Sequence, residues 1–191
     1  MVVDFKSDAH RKVHQLTREY LYSLFGEVNV QTTEDAFTRR EGSSVVYVRT
    51  FPVGSERAAV EVFSYVAIDL EITDALMREL LAHNLKLVLG AFGLAVGPDG
   101  KGSVVLTYTL LGGTMDQEEL YGAICAIARV ADDLDDQLVS SFGGKTALGK
   151  LTQASIRENW ERSALRYQND FTNVLTGFDV GVRSPRLLKW E

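Results

Sequence analysis

The chain has one cysteine, three prolines and fewer basic than acidic side chains in its 191 residues. It also has no apolar run near the ~20 residues of a membrane-spanning helix. Each absence excludes something. A lone Cys125 cannot form an internal disulfide, so the core must come from packing, and the chain suits a reducing compartment. Within the apolar stretch Tyr121–Ala128, Cys125 is expected to be a small buried core residue. The formal net charge of −6 leaves no electrostatic footprint for nucleic acid or an anionic membrane, both of which require clustered Lys and Arg. Asp4, Lys6, Asp8, Arg11 and Lys12 stand where a signal peptide needs its apolar core, so a cytoplasmic protein is expected. No GxSxG or comparable nucleophile motif occurs.

What is present reads as one domain with an appendage, 46% hydrophobic and 24% charged. Val13, Leu16, Tyr20, Leu21 and Leu24 recur at three- and four-residue spacings, which predicts a helix over 8–25 capped by Ser7 or Asp8 and ended by Gly26. Three strands are predicted next, a weak one over 27–33, a β-branched one over 43–51 and the most apolar one over 58–68. A helix capped by Thr73 or Asp74 runs to about Leu89, and strands over 92–96 and 102–110 follow, joined by the turn Gly97–Pro98–Asp99–Gly100. A long helix opens at Thr114 or Asp116, keeps Leu120, Ile124, Ile127, Ala131, Leu134 and Leu138 on one stripe, and stops at Phe142–Gly143–Gly144. Short connections between neighbours imply an α+β fold, with a single antiparallel twisted sheet of about five strands in the order α-β-β-β-α-β-β-α. Gly122 is costly inside a helix and lies one turn from Ala126, so a close backbone approach is expected there, as at a helix-to-helix homodimer interface.

Three patterns imitate chemistry. Asp132–Asp133–Leu134–Asp135–Asp136 has the DDxxD spacing of diphosphate-magnesium sites, but no second acidic motif accompanies it, and its aspartates are expected on the solvent face. Gly143–Gly144–Lys145–Thr146 looks like the end of a phosphate-binding loop, yet it closes a helix instead of opening one. His10 and His14 are one turn apart without further ligands nearby, and are expected on an exposed polar face. No metal, nucleotide or other cofactor is expected.

The order of elements, with Val66–Ala67–Ile68–Asp69 leading through Leu80–Leu81–Ala82–His83–Asn84 to Gly90–Ala91–Phe92–Gly93–Leu94, resembles type III secretion chaperones of the CesT type and the YbjN-like family. The acidic helix 131–138 with its terminal Gly143–Gly144 is similar to the YbjN-like side, and the resemblance covers about residues 8–144. It implies a small acidic homodimer without enzymatic activity that binds a segment of a partner polypeptide along its first helix and sheet. Leu16, Tyr20 and Leu24 on the helix and Val46 and Val48 on the second strand are the candidate contacts, with core packing the competing reading. A ligand pocket or small enzyme using Tyr47, Arg49, Tyr65 and His83 between sheet and tail is the alternative, and a structural subunit of a larger assembly a third.

Residues 145–191 form a separate extension. Up to Gly144 the chain has 12 basic and 21 acidic side chains, and after it 8 and 5, so a body of −9 carries a tail of +3. Trp160, Ala164, Tyr167, Phe171 and Val174 predict an amphipathic helix over 152–175. Its apolar stripe of Trp160, Tyr167 and Phe171 is expected to dock on the same domain or on a partner subunit.

Overall fold

The computed structural model describes residues 4–33, 36–97 and 99–147. Helix α1 (Asp8–Phe25) begins the fold, capped by the Ser7 hydroxyl, which accepts from the His10 N–H at 3.1 Å. Strands β1 (Gln31–Thr32), β2 (Phe37–Glu41), β3 (Ser44–Val53) and β4 (Arg57–Leu70) follow. Helix α2 (Asp74–Asn84), hairpin strands β5 (Ala91–Val96) and β6 (Gly102–Leu111), helix α3 (Gln117–Phe142) and strand β7 (Lys145–Thr146) complete the order. Thr73 and Asp116 cap α2 and α3, each accepting the amide N–H three residues on.

The α+β class with one antiparallel sheet stands, but among the described residues the sheet has seven strands, ordered β1-β2-β3-β4-β6-β5, with β7 beside β4. Two added strands, β2 and β7, account for the difference from five, and the first expected strand is shortened. The expected strand over 27–33 shrinks to Gln31–Thr32, because Glu27–Asn29 turn as a 3-10 helix. β2 reads Phe-Thr-Arg-Arg-Glu, too polar to register as a strand, and is held by its ladder to β3. β7 has two residues, too few for any periodic signal, and exists because it pairs with Ala67 and Ile68 of β4. α2 stops at Asn84 instead of Leu89, since the Asn84 side chain is drawn to β5.

All three described helices lie on one face. Val13 and Leu21 of α1, Leu76 and Leu80 of α2, and Leu120, Ile124, Ile127, Ala131 and Leu138 of α3 share one core with Val46, Val48, Val60, Val62, Leu106 and Leu110. Fully burying each such side chain contributes roughly 1.5–3 kcal/mol before conformational entropy is subtracted. On α1 the buried stripe is His10, Val13, Thr17 and Leu21, so Leu16, Tyr20 and Leu24 flank it, half-buried. β4 sits centrally and is apolar almost throughout, with Phe63 and Tyr65 pointing away from the helices, opposite Val60 and Val62.

Candidate peptide-binding surface

The candidate contacts separate by burial. Val46 and Val48 are 1% and 3% exposed beneath the helices, which removes them as partner contacts and assigns them to the core. Alternation along β3 could not decide this, because either face of a two-faced strand can be the inner one. Leu16, Tyr20 and Leu24 remain half-buried beside the α1 stripe, where they can still meet a partner.

A surface that periodicity did not single out lies at the other edge. Among the described residues β5 pairs only with β6, leaving its outer side as a free sheet edge. Asn84 closes the start of that edge, with its Oδ1 accepting from the Phe92 N–H at 2.6 Å and its Nδ2 donating to the Phe92 carbonyl at 3.3 Å. The side-chain amide thus stands in for a neighbouring strand. Because Phe92 directs its backbone groups away from β6, the alternation of an antiparallel ladder makes Leu94 and Val96 do the same. Beside this edge, Met77, Leu81, Leu85 and Val88 are 41%, 66%, 90% and 96% exposed, and Val96 at the end of β5 is 59% exposed. Met77, Leu81 and Leu85 are spaced by four along and just past α2, which sets them on one face. Their signal in the sequence was present but ambiguous, since the same spacing also reads as a buried stripe.

The face opposite the helices carries Tyr47, Phe63, Tyr65, Ile68 and Val105, with Tyr47 and Phe63 stacked at 5.0 Å. Arg49 donates to Glu61 at 3.1 Å, and the Thr107 hydroxyl donates to the other Glu61 oxygen at 2.9 Å. Burial raises the Glu61 carboxyl above its usual range against the opposing pull of Arg49. Burial likewise raises the Tyr47 and Tyr65 phenols. The alternative ligand set is therefore split. Tyr47, Arg49 and Tyr65 share this face, whereas His83 stands on α2 against Glu79, at 3.1 Å, and Phe92.

The three chemistry-like patterns have structural duties. Asp132 accepts from the Ser43 N–H at 2.6 Å and from the Ser43 hydroxyl, which also reaches Asp135 at 2.9 Å. Asp135 is only 6% exposed, so the expectation of a fully solvated acidic run is corrected. The helix stripe passes through Ile124, Ile127, Ala131, Asp135 and Leu138, and Leu134 is the half-buried neighbour. A Cβ on Gly42, at φ +58°, would stand 2.5 Å from the Asp132 carboxylate, so the β2–β3 turn and α3 meet over backbone. His10 and His14 are not exposed. They face Thr50, with His10 Nε2 at 3.1 Å from its carbonyl and His14 Nδ1 at 3.1 Å from its hydroxyl, and burial lowers both imidazole pKa values. Lys145 pairs with Asp69 at 2.5 Å where β7 joins β4. Cys125 is exposed, one position past the buried Ile124, and not in the core. Among the described residues no three His, Cys, Asp or Glu side chains cluster as metal ligands, and no helix is long and apolar enough to cross a membrane.

Residues 11–150 match the family model described as T3SS (YopN, CesT) and YbjN peptide-binding chaperone 1, TY-Chap1. The chain belongs to this family. TY-Chap1 is thus a peptide-binding, chaperone-like family in its description, in line with the resemblance carried by residues 8–144. Two solved structures are similar: YbjN from E. coli, at 12% identity and TM-score 0.48 over 65% of this chain and 92% of that one, and an uncharacterized protein from Methanothermobacter thermautotrophicus, at 12% and 0.46 over 68% and 97%. No curated protein matches the chain. Within this TY-Chap1 chain, Gly122 and Ala126 are half-buried on α3, and a Cβ at Gly122 would meet nothing within 4 Å. The glycine is therefore not required by packing among the described residues. Trp160, Tyr167 and Phe171 lie outside the described residues.

Proposed function

We propose that the chain is a non-enzymatic, cytoplasmic peptide-binding protein, a chaperone-like or adaptor module that holds an extended segment of a partner polypeptide. The observation that carries this reading is the free edge of β5 beside the exposed Met77, Leu81, Leu85 and Val88. A partner strand added there gains main-chain hydrogen bonds from Leu94 and Val96 and lays alternate apolar side chains on α2. Leu16, Tyr20 and Leu24 form a second, weaker contact surface along α1. Family membership supports the peptide as the class of partner.

A homodimer belongs to the same proposal. Its interface is the outward face of α3, where Gly122 and Ala126 lie among Tyr121, 46% exposed, and the exposed Cys125. With no Cβ at Gly122, a second helix can approach closely.

The test uses fluorescence anisotropy with a panel of labelled peptides of alternating apolar pattern. Val96→Pro removes one outward N–H from the edge without touching the ladder to β6, and Leu81→Glu charges the apolar flank. Each is expected to weaken binding about tenfold, the equivalent of roughly 1.4 kcal/mol. Unchanged affinity in both variants sinks the β5 edge as the binding site.

A further inference from the structure

The sheet face opposite the helices is too well covered for what the described residues place over it. Phe63 and Tyr65 are 2% and 3% exposed, and Ile68 is 7% exposed, although α1, α2 and α3 all pack on the other side of the sheet. Aromatic rings standing on an open sheet face screen one another sideways, as Tyr47 and Phe63 do, but keep their outer surface in water. The Arg49–Glu61 pair on the same face is also withdrawn from solvent, with side-chain exposures of 19% and 13%. An uncovered ion pair of that kind would remain wet.

We infer that residues 151–175 of this chain dock on the sheet face opposite the helices, over Phe63, Tyr65 and Ile68. Two observations select this occupant over others. The described chain ends at the face itself, since β7 pairs with Ala67 and Ile68, and Ala147 packs against the cluster of Phe63, Tyr65 and Ile68. The segment that follows carries Trp160, Ala164, Tyr167, Phe171 and Val174 at helical spacing, an apolar stripe suited to a flat aromatic face. The sheet is then covered on both sides, and its central strand β4 is buried on both, in keeping with its nearly unbroken apolar sequence. Client peptides are thereby kept from the aromatic face and directed to the β5 edge and α1.

The experiment uses the full chain carrying Trp190→Phe, which leaves Trp160 as its single tryptophan. Acrylamide quenching of Trp160 is compared with that of a synthetic peptide of residues 148–191 bearing the same substitution. Docking is expected to lower the quenching constant at least about threefold, because a packed aromatic side chain buries on the order of 150–250 Å². Val105→Arg, on the same face beside Tyr65, is expected to restore the peptide value in a protein that keeps its far-ultraviolet circular dichroism. Gln137→Arg, exposed on α3 at the opposite side of the sheet, is expected to leave Trp160 quenching unchanged. If Val105→Arg fails to fold, Tyr47→Arg on the same face replaces it. Quenching equal to that of the free peptide overturns the inference, as does a folded Val105→Arg protein whose Trp160 stays protected. Protection lost on dilution, together with a shift from dimer to monomer in sedimentation, assigns the face to a second copy and overturns it equally.

Discussion

Replacing Ser43 by Ala isolates the contact that separates an acidic clamp from an acidic metal site. Ser43 shares its single hydroxyl proton between Asp132 and Asp135, and donates its N–H to Asp132. The substitution keeps the N–H and removes the hydroxyl, so Asp135, 6% exposed, loses the donor at 2.9 Å. A hydrogen bond to a charged acceptor contributes about 1.5–3 kcal/mol, and a buried carboxylate deprived of one loses most of that. A cost of about 2 kcal/mol corresponds to a melting temperature roughly 4–8 °C lower for a chain of this size. Asp132 is solvent-facing and adds little, but it supplies a second readout. The two Ser43 bonds hold its carboxyl below the usual range, so Ser43→Ala raises the Asp132 pKa in a carboxyl-resolved NMR titration. Thermal denaturation in Ser43→Ala, Asp135→Ala and the double variant gives the coupling directly, and the double variant is expected to cost less than the two singles summed. Millimolar magnesium should leave the wild-type melt unchanged. A melt unaltered by Ser43→Ala, or magnesium stabilisation abolished by Asp132→Asn with Asp136→Asn, refutes the clamp.

The remaining expectations concern pH, the ion pair and α3. His10 and His14 have pKa values lowered below 6.5, so the unfolded chain takes up protons first on acidification. Stability is then constant above that pH and falls as pH drops from about 6.5 through the folded-state values; urea midpoints from pH 7.5 to 5 measure it, and a flat profile, or an unchanged one in His10→Gln/His14→Gln, contradicts it. Arg49→Leu strands the buried Glu61 and is expected to cost about 3 kcal/mol, whereas adding Glu61→Leu recovers most of the loss; equal unfolding free energies for single and double variants would show the pair to be uncoupled. Gly122→Ala meets no atom within 4 Å and should stabilise the single chain by about 1 kcal/mol, while Gly122→Trp should raise the dimer dissociation constant in sedimentation. Destabilisation by Ala, or an unchanged association with Trp, removes that interface.

Much of this protein was written locally. The helices announced themselves through caps and stripes, as with Asp116 ahead of Leu120, Ile124 and Ile127, because a 3.6-residue period needs only neighbours along one chain. The strands β3, β4 and β6 were legible from β-branched and aromatic runs, and the family from the motifs around Asn84 and the closing acidic helix. What escaped depended on contacts distant in sequence. β2 and β7 are strands only because β3 and β4 pair with them, and Phe37–Glu41 carries no apolar alternation of its own. His10, Thr17 and Asp135 occupy core stripes because Thr50, the Val13 carbonyl and Ser43 receive their polar atoms, compensation that a polarity scale reads as exposure. Cys125 is the reverse case, an apolar-looking residue that falls outside the stripe by one position. The sequence by itself determined the class of fold, the helix positions and the family. Only the tertiary structure decided which face of β3 is inside, which turned Val46 and Val48 from candidate contacts into core. It also decided which strand is left at the sheet edge, because a strand's period of two is symmetric between its faces and edge position is a property of pairing partners, not of the strand.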